Sequence, residues 1–193
     1  MARTKEFDPD TALQCALELF WQRGYEATSM ADLVAALGIG RASVYATFGS
    51  KHELYLLALR RYSEARDRAL LETLSQPGPA LPAVRAVVTG YAELSADDDQ
   101  RRGCFLTNTA VELAPHDEAA ARQVAESWDL LETGLRSALI RAGAQGELPA
   151  GRDPRALARM LVVLLQGLRV VGKAGGGQDR VRDAAAQALA LLD

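Results

Sequence analysis

The sequence predicts an all-α protein in which a small N-terminal helix-turn-helix unit of three helices precedes a larger helical region. Two observations lead to this prediction. Signals for the start of a helix recur along the chain, as a capping residue followed by proline or by an acidic residue three positions later. Between these signals apolar residues recur at helical spacing, and no segment alternates apolar and polar residues as a half-buried strand does.

The first helix is predicted to begin at Asp8 and Pro9 and to end near Arg23. Aspartate is a favoured helix cap, and proline suits the first helical position because its fixed backbone angle already matches a helix. The inward-facing side chains of this helix are expected to be Leu13, Ala16, Leu17 and Phe20.

A tight glycine turn joins the next two helices, which are both short. Ser29 and Asp32 have the spacing of a capping box at the start of the first, and Gly38 ends it because glycine readily adopts a left-handed backbone. Ile39 is expected to be buried in the turn, and residues 40–48 form the second helix. Side chains expected to face inward or to edge the core are Ala31, Leu33, Val34 and Leu37, then Val44, Tyr45 and Phe48.

The second short helix directs small and polar side chains toward solvent. An exposed helix N-terminus with small residues and one arginine suits entry into the major groove of DNA. Arg41 is the candidate for recognising a base, through a bidentate hydrogen bond to guanine, and a phosphate contact is the alternative. The solvent-facing residues are expected to be Arg41, Ala42, Ser43 and Thr47.

Helix signals continue to the C-terminus. Ser50 and Glu53 form a second capping box, which opens a long helix that is predicted to end near Leu74 and to be shared by both units. The turn-rich segment 76–82 follows it. Further helices are predicted over residues 83–95, 104–113, 117–144, 153–173 and 179–192. We therefore divide the chain into an N-terminal unit, residues 1–50, and a larger unit, residues 51–193.

Composition fits a folded protein. The chain of 193 residues is 49% hydrophobic and 24% charged and carries a net charge of −3. This balance argues against a general nucleic-acid coat protein, which is usually basic, but it allows a sequence-specific binder with a few well-placed cations. The alternative is that the charge balance reports only solubility.

Three further sequence features bear on location. Residues 1–10 are polar, so no secretory signal is expected. The most apolar stretch, residues 156–172, is interrupted by charged and polar residues, which favours a buried or interface helix over a membrane span. Cys15 and Cys104 form no metal or disulfide framework, and free thiols favour a cytoplasmic protein.

Within residues 24–54, ten residues follow a characteristic order and spacing: Gly24, Tyr25, Thr28, Ser29, Gly38, Ile39, Tyr45, Phe48, Lys51 and Leu54. This pattern resembles the DNA-binding region of the tetracycline-repressor (TetR) family of bacterial regulators. The sequence departs from the family pattern at Gly40, Ala42 and Thr47, where serine, glycine and histidine are common. These positions lie at or near the expected DNA surface, so the departures concern base contacts and not the fold.

The resemblance implies a transcriptional regulator, most simply a ligand-responsive repressor that binds a palindromic double-stranded DNA operator as a homodimer. Two subunits would place their third helices in successive major grooves, about 34 to 36 Å apart. A small-molecule effector would favour a conformation that no longer matches this spacing. The alternatives are a DNA-binding accessory protein without a ligand and a helical enzyme.

Phosphate contacts are predicted beside the third helix. Tyr45 can direct its hydroxyl to a phosphate while its ring packs, as the family resemblance also implies. Lys51 lies in the first turn of the long helix, where N–H groups attract anions but the helix dipole disfavours a lysine. Thr28 or Ser29 can contact phosphate, and capping is the alternative for Ser29.

The last two helices are unusually apolar for the end of a chain. The resemblance implies that they form a four-helix bundle with a second copy, and ordinary core packing is the alternative. The predicted interface residues are Leu161, Leu165, Leu168 and Leu189.

Polar side chains also recur on one face of the predicted helix 104–113. They either satisfy one another in the core or line a pocket. The resemblance places an effector pocket in the larger unit, and plain core packing is the alternative. The candidate pocket residues are Cys104, Thr107, Asn108 and Val111, together with Trp128 and Met160.

Cys104 is in addition a candidate sensor thiol. It follows Arg101 and Arg102 near a helix start, and both cations and a helix N-terminus favour the reactive thiolate. Some TetR-like proteins with a similar Gly-Cys segment respond to oxidants or electrophiles. The alternative is a buried, inert cysteine.

No catalytic, metal or cofactor site is predicted. His52 and His116 have no cysteine, serine or carboxylate partners at a recognisable spacing. Residues 167–174 come close to a phosphate-loop pattern, but Ala174 lacks the hydroxyl that would bind magnesium and no strand precedes the segment. We therefore expect no enzymatic activity.

Overall fold

The computed structural model describes residues 7–193, which form helices joined by short loops and contain no strand. The all-α prediction is confirmed. The first six residues of the polar segment 1–10, from which no secretory signal is expected, lie outside the described residues. The helices are α1 (Pro9–Arg23), α2 (Met30–Leu37), α3 (Arg41–Phe48), α4 (Lys51–Leu74), α5 (Leu81–Ala96), α6 (Phe105–Glu112), α7 (Glu118–Ala144), α8 (Pro154–Ala174) and α9 (Gln178–Ala190), with a short 3-10 turn (Ala114–His116) between α6 and α7.

Three of the predicted helix starts form as expected. The Asp8 carboxylate accepts hydrogen bonds from two backbone N–H groups in the first turn of α1. Both capping boxes are complete, at Ser29 for α2 and at Ser50 for α4. Gly38 ends α2 with a left-handed backbone, at φ 66°. Local side-chain chemistry is therefore sufficient to set these boundaries.

The largest departure from the predicted helix starts is at α5, and the starts of α3, α6, α7, α8 and α9 each differ by one residue. α5 begins at Leu81, two residues early, because the Glu147 carboxylate accepts the N–H groups of Ala80 and Leu81 at 2.9 and 2.8 Å. A cap from a distant loop leaves no local signal in the sequence. α6 begins one residue late, with Cys104 as its N-cap in an extended conformation.

Several side chains of the N-terminal unit differ in exposure from the prediction, some more exposed and some less. Ala31 is exposed, and Ile39 in the turn is half-buried rather than buried. Ser43 and Thr47 are half-buried, and Tyr45 is 43% exposed. Three short helices enclose too little volume to cover every apolar side chain on their surfaces.

Two hydrophobic clusters hold the helices together. The first cluster joins α1, α2 and α3 to the first half of α4, to α6 and to the start of α7. The second cluster lies among the end of α4 and helices α5, α7, α8 and α9. The N-terminal unit therefore packs on α4, α6 and α7 together. A division after residue 50 stays a prediction, and the first cluster extends across it through Leu54 and Leu59.

Helix α8 packs unusually closely on α5 at a glycine. A Cβ atom at Gly172 would lie 2.1 Å from the backbone oxygen of Ser95, so a larger residue would force the two helices apart. Gly172 belongs to the segment 167–174 that comes close to a phosphate-loop pattern. The structure places this segment inside α8, where close helix packing accounts for the glycine.

Gly172→Ala should therefore lower the free energy of unfolding by about 2 kcal/mol, because rigid backbone opposes the added methyl group. Gly143→Ala is the matched control, since nothing lies within 4 Å of its Cβ position and alanine favours a helix. Urea unfolding of both variants measures the difference. Equal stabilities would contradict the close contact between α8 and α5.

Candidate functional site

Helix α3 presents exposed polar groups on a narrow surface. Arg41 and Tyr45 lie one turn apart, and the Arg41 Nη2 atom donates to the Tyr45 hydroxyl at 3.3 Å. The guanidinium carbon lies 5.6 Å from the centre of the Tyr45 ring. Ala42 is exposed beside them, while Val44 and Phe48 pack into the first cluster and fix the helix orientation. A planar donor on a slender exposed helix has the shape that base edges in a major groove accept.

Lys51 lies at the start of α4, directly after the Ser50 cap. Its Nζ atom is 4.1 Å from the centre of the Tyr25 ring, a cation–π contact that offsets the unfavourable helix dipole. Burial, followed by the charges of Glu26 and Asp117, raises the pKa of Tyr25, so the ring stays neutral. The ammonium group and the helix N-terminus together favour a bound phosphate.

The structure corrects the prediction that Thr28 contacts phosphate. The Thr28 side chain is fully buried, and its hydroxyl donates to the Gly24 carbonyl oxygen at 2.7 Å. It therefore stabilises the turn between α1 and α2 and has no surface for DNA. Ser29 is exposed, but its hydroxyl is engaged with Asp32 in the capping box, which is the alternative that the sequence left open.

A mostly buried guanidinium, that of Arg66, lies beside Cys104 in the larger unit. Arg66 Nη1 and the Tyr62 hydroxyl are each 3.6 Å from the Cys104 Sγ atom. The guanidinium also donates to Ser127 Oγ at 2.6 Å and pairs with Asp67 at 3.3 Å. The sequence analysis missed these four residues because they lie on α4 and α7, and only the fold brings them to the start of α6.

The neighbours of Cys104 favour its thiolate. Burial raises the pKa of the thiol, but the Arg66 charge, the Thr107 N–H group and the Tyr62 hydroxyl outweigh burial and hold the pKa below its ordinary value. Burial, and then the negative charge of the thiolate, raise the pKa of Tyr62, so its hydroxyl remains a donor. The site thus combines a nucleophile, a cation and a proton donor.

Several other polar atoms are buried in residues 7–193 without a hydrogen-bond partner from the protein. Burial raises the pKa of Tyr91, although the Arg66 charge opposes this rise. Such groups cost free energy when unpaired, and a small polar ligand that binds them would be favoured. These atoms are Arg66 Nε, the Tyr91 hydroxyl, Gln123 Oε1, Trp128 Nε1, Arg141 Nε and Gln166 Nε2.

The structure separates the predicted pocket residues on α6. Thr107, Asn108 and Val111 line a surface groove of about 330 Å³, and Val111 is 75% exposed. Cys104 is 2% exposed and contacts the interior instead. The four positions share a face only in a continuous helix, and the extended backbone of Cys104 as N-cap removes it from that face.

Trp128 and Met160 are not brought together either. Trp128 packs against the first cluster and Met160 against the second. The Nε1 atom of Trp128 is buried without a hydrogen-bond partner, whereas Met160 is half-buried among apolar side chains.

The structure also corrects the predicted subunit interface. Leu161, Leu165 and Leu168 are at most 3% exposed within a single chain, so they offer no surface to a second chain. They belong to the second cluster, and Leu189 is half-buried at the edge of that cluster. The exposed apolar side chains at this end of the chain are Val163, Val170 and Val171 on α8 and Leu191 after α9.

Comparison with known proteins identifies the family. Residues 12–58 match the model for bacterial regulatory proteins of the tetR family, and residues 80–189 match that for the tetracyclin repressor-like C-terminal domain. The uncharacterized HTH-type transcriptional regulator YezE of Bacillus subtilis (strain 168) is 37% identical over the full length of both chains. The chain belongs to the TetR family of transcriptional regulators.

Two further proteins resemble this TetR-family chain over most of its length. The HTH-type transcriptional repressor ComR of Escherichia coli (strain K12) is 33% identical over 98% of this chain and 90% of its own. A cysteine mutant of the TetR-family regulator CifR, solved with 26-base-pair operator DNA, is 31% identical with a TM-score of 0.86. That alignment covers 99% of this chain and all of the CifR chain.

Family membership establishes the class of function. This TetR-family chain is a DNA-binding transcriptional regulator, and dimers that respond to a small-molecule ligand are typical of its family. Its relatives are regulators of transcription rather than enzymes. Among residues 7–193, no helix combines the length and apolarity that crossing a membrane requires.

Proposed function

We propose that this repressor leaves its operator when a thiol-reactive small molecule modifies Cys104. The observation that supports the proposal is the Arg66 guanidinium held against the Sγ atom in the protein interior. A permanent cation beside a thiol keeps the nucleophilic thiolate available near neutral pH. Because Cys104 is 2% exposed, an adduct must displace its neighbours and therefore change the subunit's conformation.

The reaction with an α,β-unsaturated carbonyl compound is a simple addition. The thiolate sulfur bonds to the β-carbon, and the electron pair of the carbon–carbon double bond moves toward the carbonyl oxygen. The α-carbon then takes a proton from water. Arg66 and Tyr62 supply donors close to the reacting sulfur, where they can stabilise the developing negative charge.

A non-covalent effector in the same interior is the second candidate. Unpartnered buried polar atoms of the larger unit, among them Arg66 Nε, the Tyr91 hydroxyl and Gln166 Nε2, favour a small ligand that carries a carbonyl or anionic group. Such a ligand would shift the same equilibrium without using the thiol, and Cys104 would then be an inert part of the wall.

We infer DNA contacts for the exposed residues of α3 and the start of α4. Arg41 is assigned to a base, and Tyr45 and Lys51 are assigned to phosphates. Ala42 leaves room for close approach to the groove. Ser43, Thr47 and the cap Ser29 complete the surface that faces DNA.

We infer that the second subunit packs on the exposed apolar side of α8 and the end of α9. Val163, Gly167 and Val170 follow one another at helical spacing on that side. Nothing lies within 4 Å of a Cβ atom at Gly167, so a partner helix can approach closely there. A cytoplasmic location, where thiols stay reduced, suits this repressor.

Treatment with N-ethylmaleimide should release the wild-type protein and Cys15→Ser from operator DNA but leave Cys104→Ser bound. Fluorescence anisotropy of a labelled operator measures release, and mass spectrometry locates the adduct. Arg66→Met should move the pH dependence of the reaction to higher pH, because the pKa of Cys104 rises when the cation is removed. Release of the Cys104→Ser protein by the reagent would contradict the covalent proposal.

Arg41→Ala should lose about 1–3 kcal/mol of binding free energy at one base-pair position, if the arginine pairs with guanine. Lys51→Ala and Tyr45→Phe should instead weaken binding to all sequences alike, since phosphates carry no sequence information. Binding is measured on an operator selected from random duplexes and on its single-base variants. Unchanged affinity in all three variants would exclude this surface as the DNA contact.

Val163→Glu should convert the dimer into folded monomers, because a charge placed in an apolar interface costs several kcal/mol. The side chain is 74% exposed in the single chain, so the fold tolerates glutamate. Ile140→Glu on α7, at a position 55% exposed, is the matched control and should stay dimeric. Analytical ultracentrifugation separates the outcomes, and a dimeric Val163→Glu protein would place the interface elsewhere.

A further inference from the structure

The last residue of α6 binds the backbone of the N-terminal unit. Both carboxylate oxygens of Glu112 accept hydrogen bonds: Oε2 from the Tyr25 N–H at 3.1 Å and Oε1 from the Glu26 N–H at 3.0 Å. These two N–H groups lie in the turn between α1 and α2. Hydrogen bonds to an ionised carboxylate are stronger than those between neutral groups, so Glu112 holds this turn firmly.

The same contact with Glu112 leaves no room for a side chain at the neighbouring Gly24. A Cβ atom at Gly24 would lie 2.7 Å from Glu112 Oε2 and 2.8 Å from Oε1. The backbone of Gly24 also has a φ of 89°, which side chains disfavour. Glycine at this position therefore lets the carboxylate approach the two N–H groups directly.

The turn that Glu112 holds carries the Tyr25 ring, which contacts Lys51, a cation assigned to DNA. The Tyr25 ring, whose backbone N–H binds Glu112, lies under the Lys51 ammonium group at 4.1 Å. The same ring packs edge-on against Tyr55 on α4, with centroids 5.0 Å apart. Glu112 thus fixes the ring on which the start of α4 rests.

Two other contacts tie α6 and the segment after it to α4. The Tyr55 hydroxyl and Thr109 Oγ1 are 2.8 Å apart in the buried interior, and His52 Nε2 lies 2.5 Å from the Asp117 carboxylate. These contacts hold α4, whereas Glu112 alone among the three holds the turn between α1 and α2.

We propose that Glu112 is a positioning residue for operator binding. It fixes the angle between the N-terminal unit and the α6–α7 corner, and thereby the separation of the two α3 helices in the dimer. A dimer binds two half-sites at one fixed separation only if its two DNA-binding units are held rigidly. A loosened unit adapts to other separations, at the cost of affinity for the best one. This role is independent of what triggers release.

The test uses the full-length dimer and an operator selected from random duplexes. Binding is measured to that operator, to versions with one base pair added or removed between half-sites, and to a single half-site. One base pair moves a half-site by about 3.4 Å along the duplex and rotates it, so a rigid dimer should discriminate strongly. Glu112→Gln and Glu112→Asp should lower the preference for the native spacing roughly tenfold, and binding to the single half-site should fall by clearly less than this.

The two variants separate the effect of side-chain length at position 112 from the effect of its negative charge. Glu112→Asp keeps the charge but is one methylene too short to reach both N–H groups, so it also decides the test if Glu112→Gln folds poorly. Glu126→Gln, at an exposed position on α7, removes the same charge away from the turn and should behave as wild type. A uniform loss for half-site and all spacings, an unchanged spacing preference, or an equal effect in Glu126→Gln would each overturn the proposal.

Discussion

The polar interior of the larger unit is organised by the buried charge of Arg66. Removing a guanidinium from water costs several kcal/mol unless nearby groups compensate for it. Burial alone would lower the pKa of Arg66, but the surrounding phenol, thiol and carboxylate groups raise it, so the residue stays charged. The Arg66 guanidinium contacts three groups: the Asp67 carboxylate, the Ser127 hydroxyl and the Cys104 thiol. An adduct at the thiol removes one anion from the set and leaves the charge less well compensated.

Two helices lead from this charge to the DNA-binding unit. Arg66 lies on α4, and Lys51 begins the same helix about 22 Å away at 1.5 Å per residue. Cys104 caps the start of α6, and Glu112 ends it about 12 Å away. A rearrangement around the thiol therefore acts on the interior of α4 and on the start of α6. The start of α4 and the Glu112 end of α6 adjoin the turn and the helix start that hold α3 in place. This is the physical link that ligand-controlled release requires.

The sequence predicts those parts of the structure that depend on neighbours along the chain. The caps at Asp8, Ser29 and Ser50 and the glycine turn at Gly38 form as expected, because each uses groups within a few residues. The early start of α5 depends on Glu147, far along the chain, and has no local signal. Resemblance to a family added the function class, which helical periodicity alone does not reveal.

The errors at the site have a common physical origin. An apolar stripe such as Leu161, Leu165 and Leu168 predicts that a helix face is buried, but not which chain buries it. Thr28 and Ser29 are adjacent hydroxyl residues with the same chemistry, and only the fold shows that one is enclosed. Arg66 and Glu112 look like ordinary charged residues of helix surfaces, because partners such as Ser127 and the Tyr25 N–H lie far from them along the chain.

The two candidate DNA-binding cations already have aromatic partners in the free protein. Arg41 contacts Tyr45, and Lys51 contacts Tyr25, so each charge is held in position before DNA arrives. Holding them in place lowers the conformational entropy lost on binding, and contact with DNA exchanges a weak cation–π interaction for a stronger ionic one. A chain with a net charge of −3 gains little from random DNA, since few phosphates are neutralised. Specific binding then depends on several contacts forming at once in both half-sites, which makes the geometry of the dimer as important as its charges.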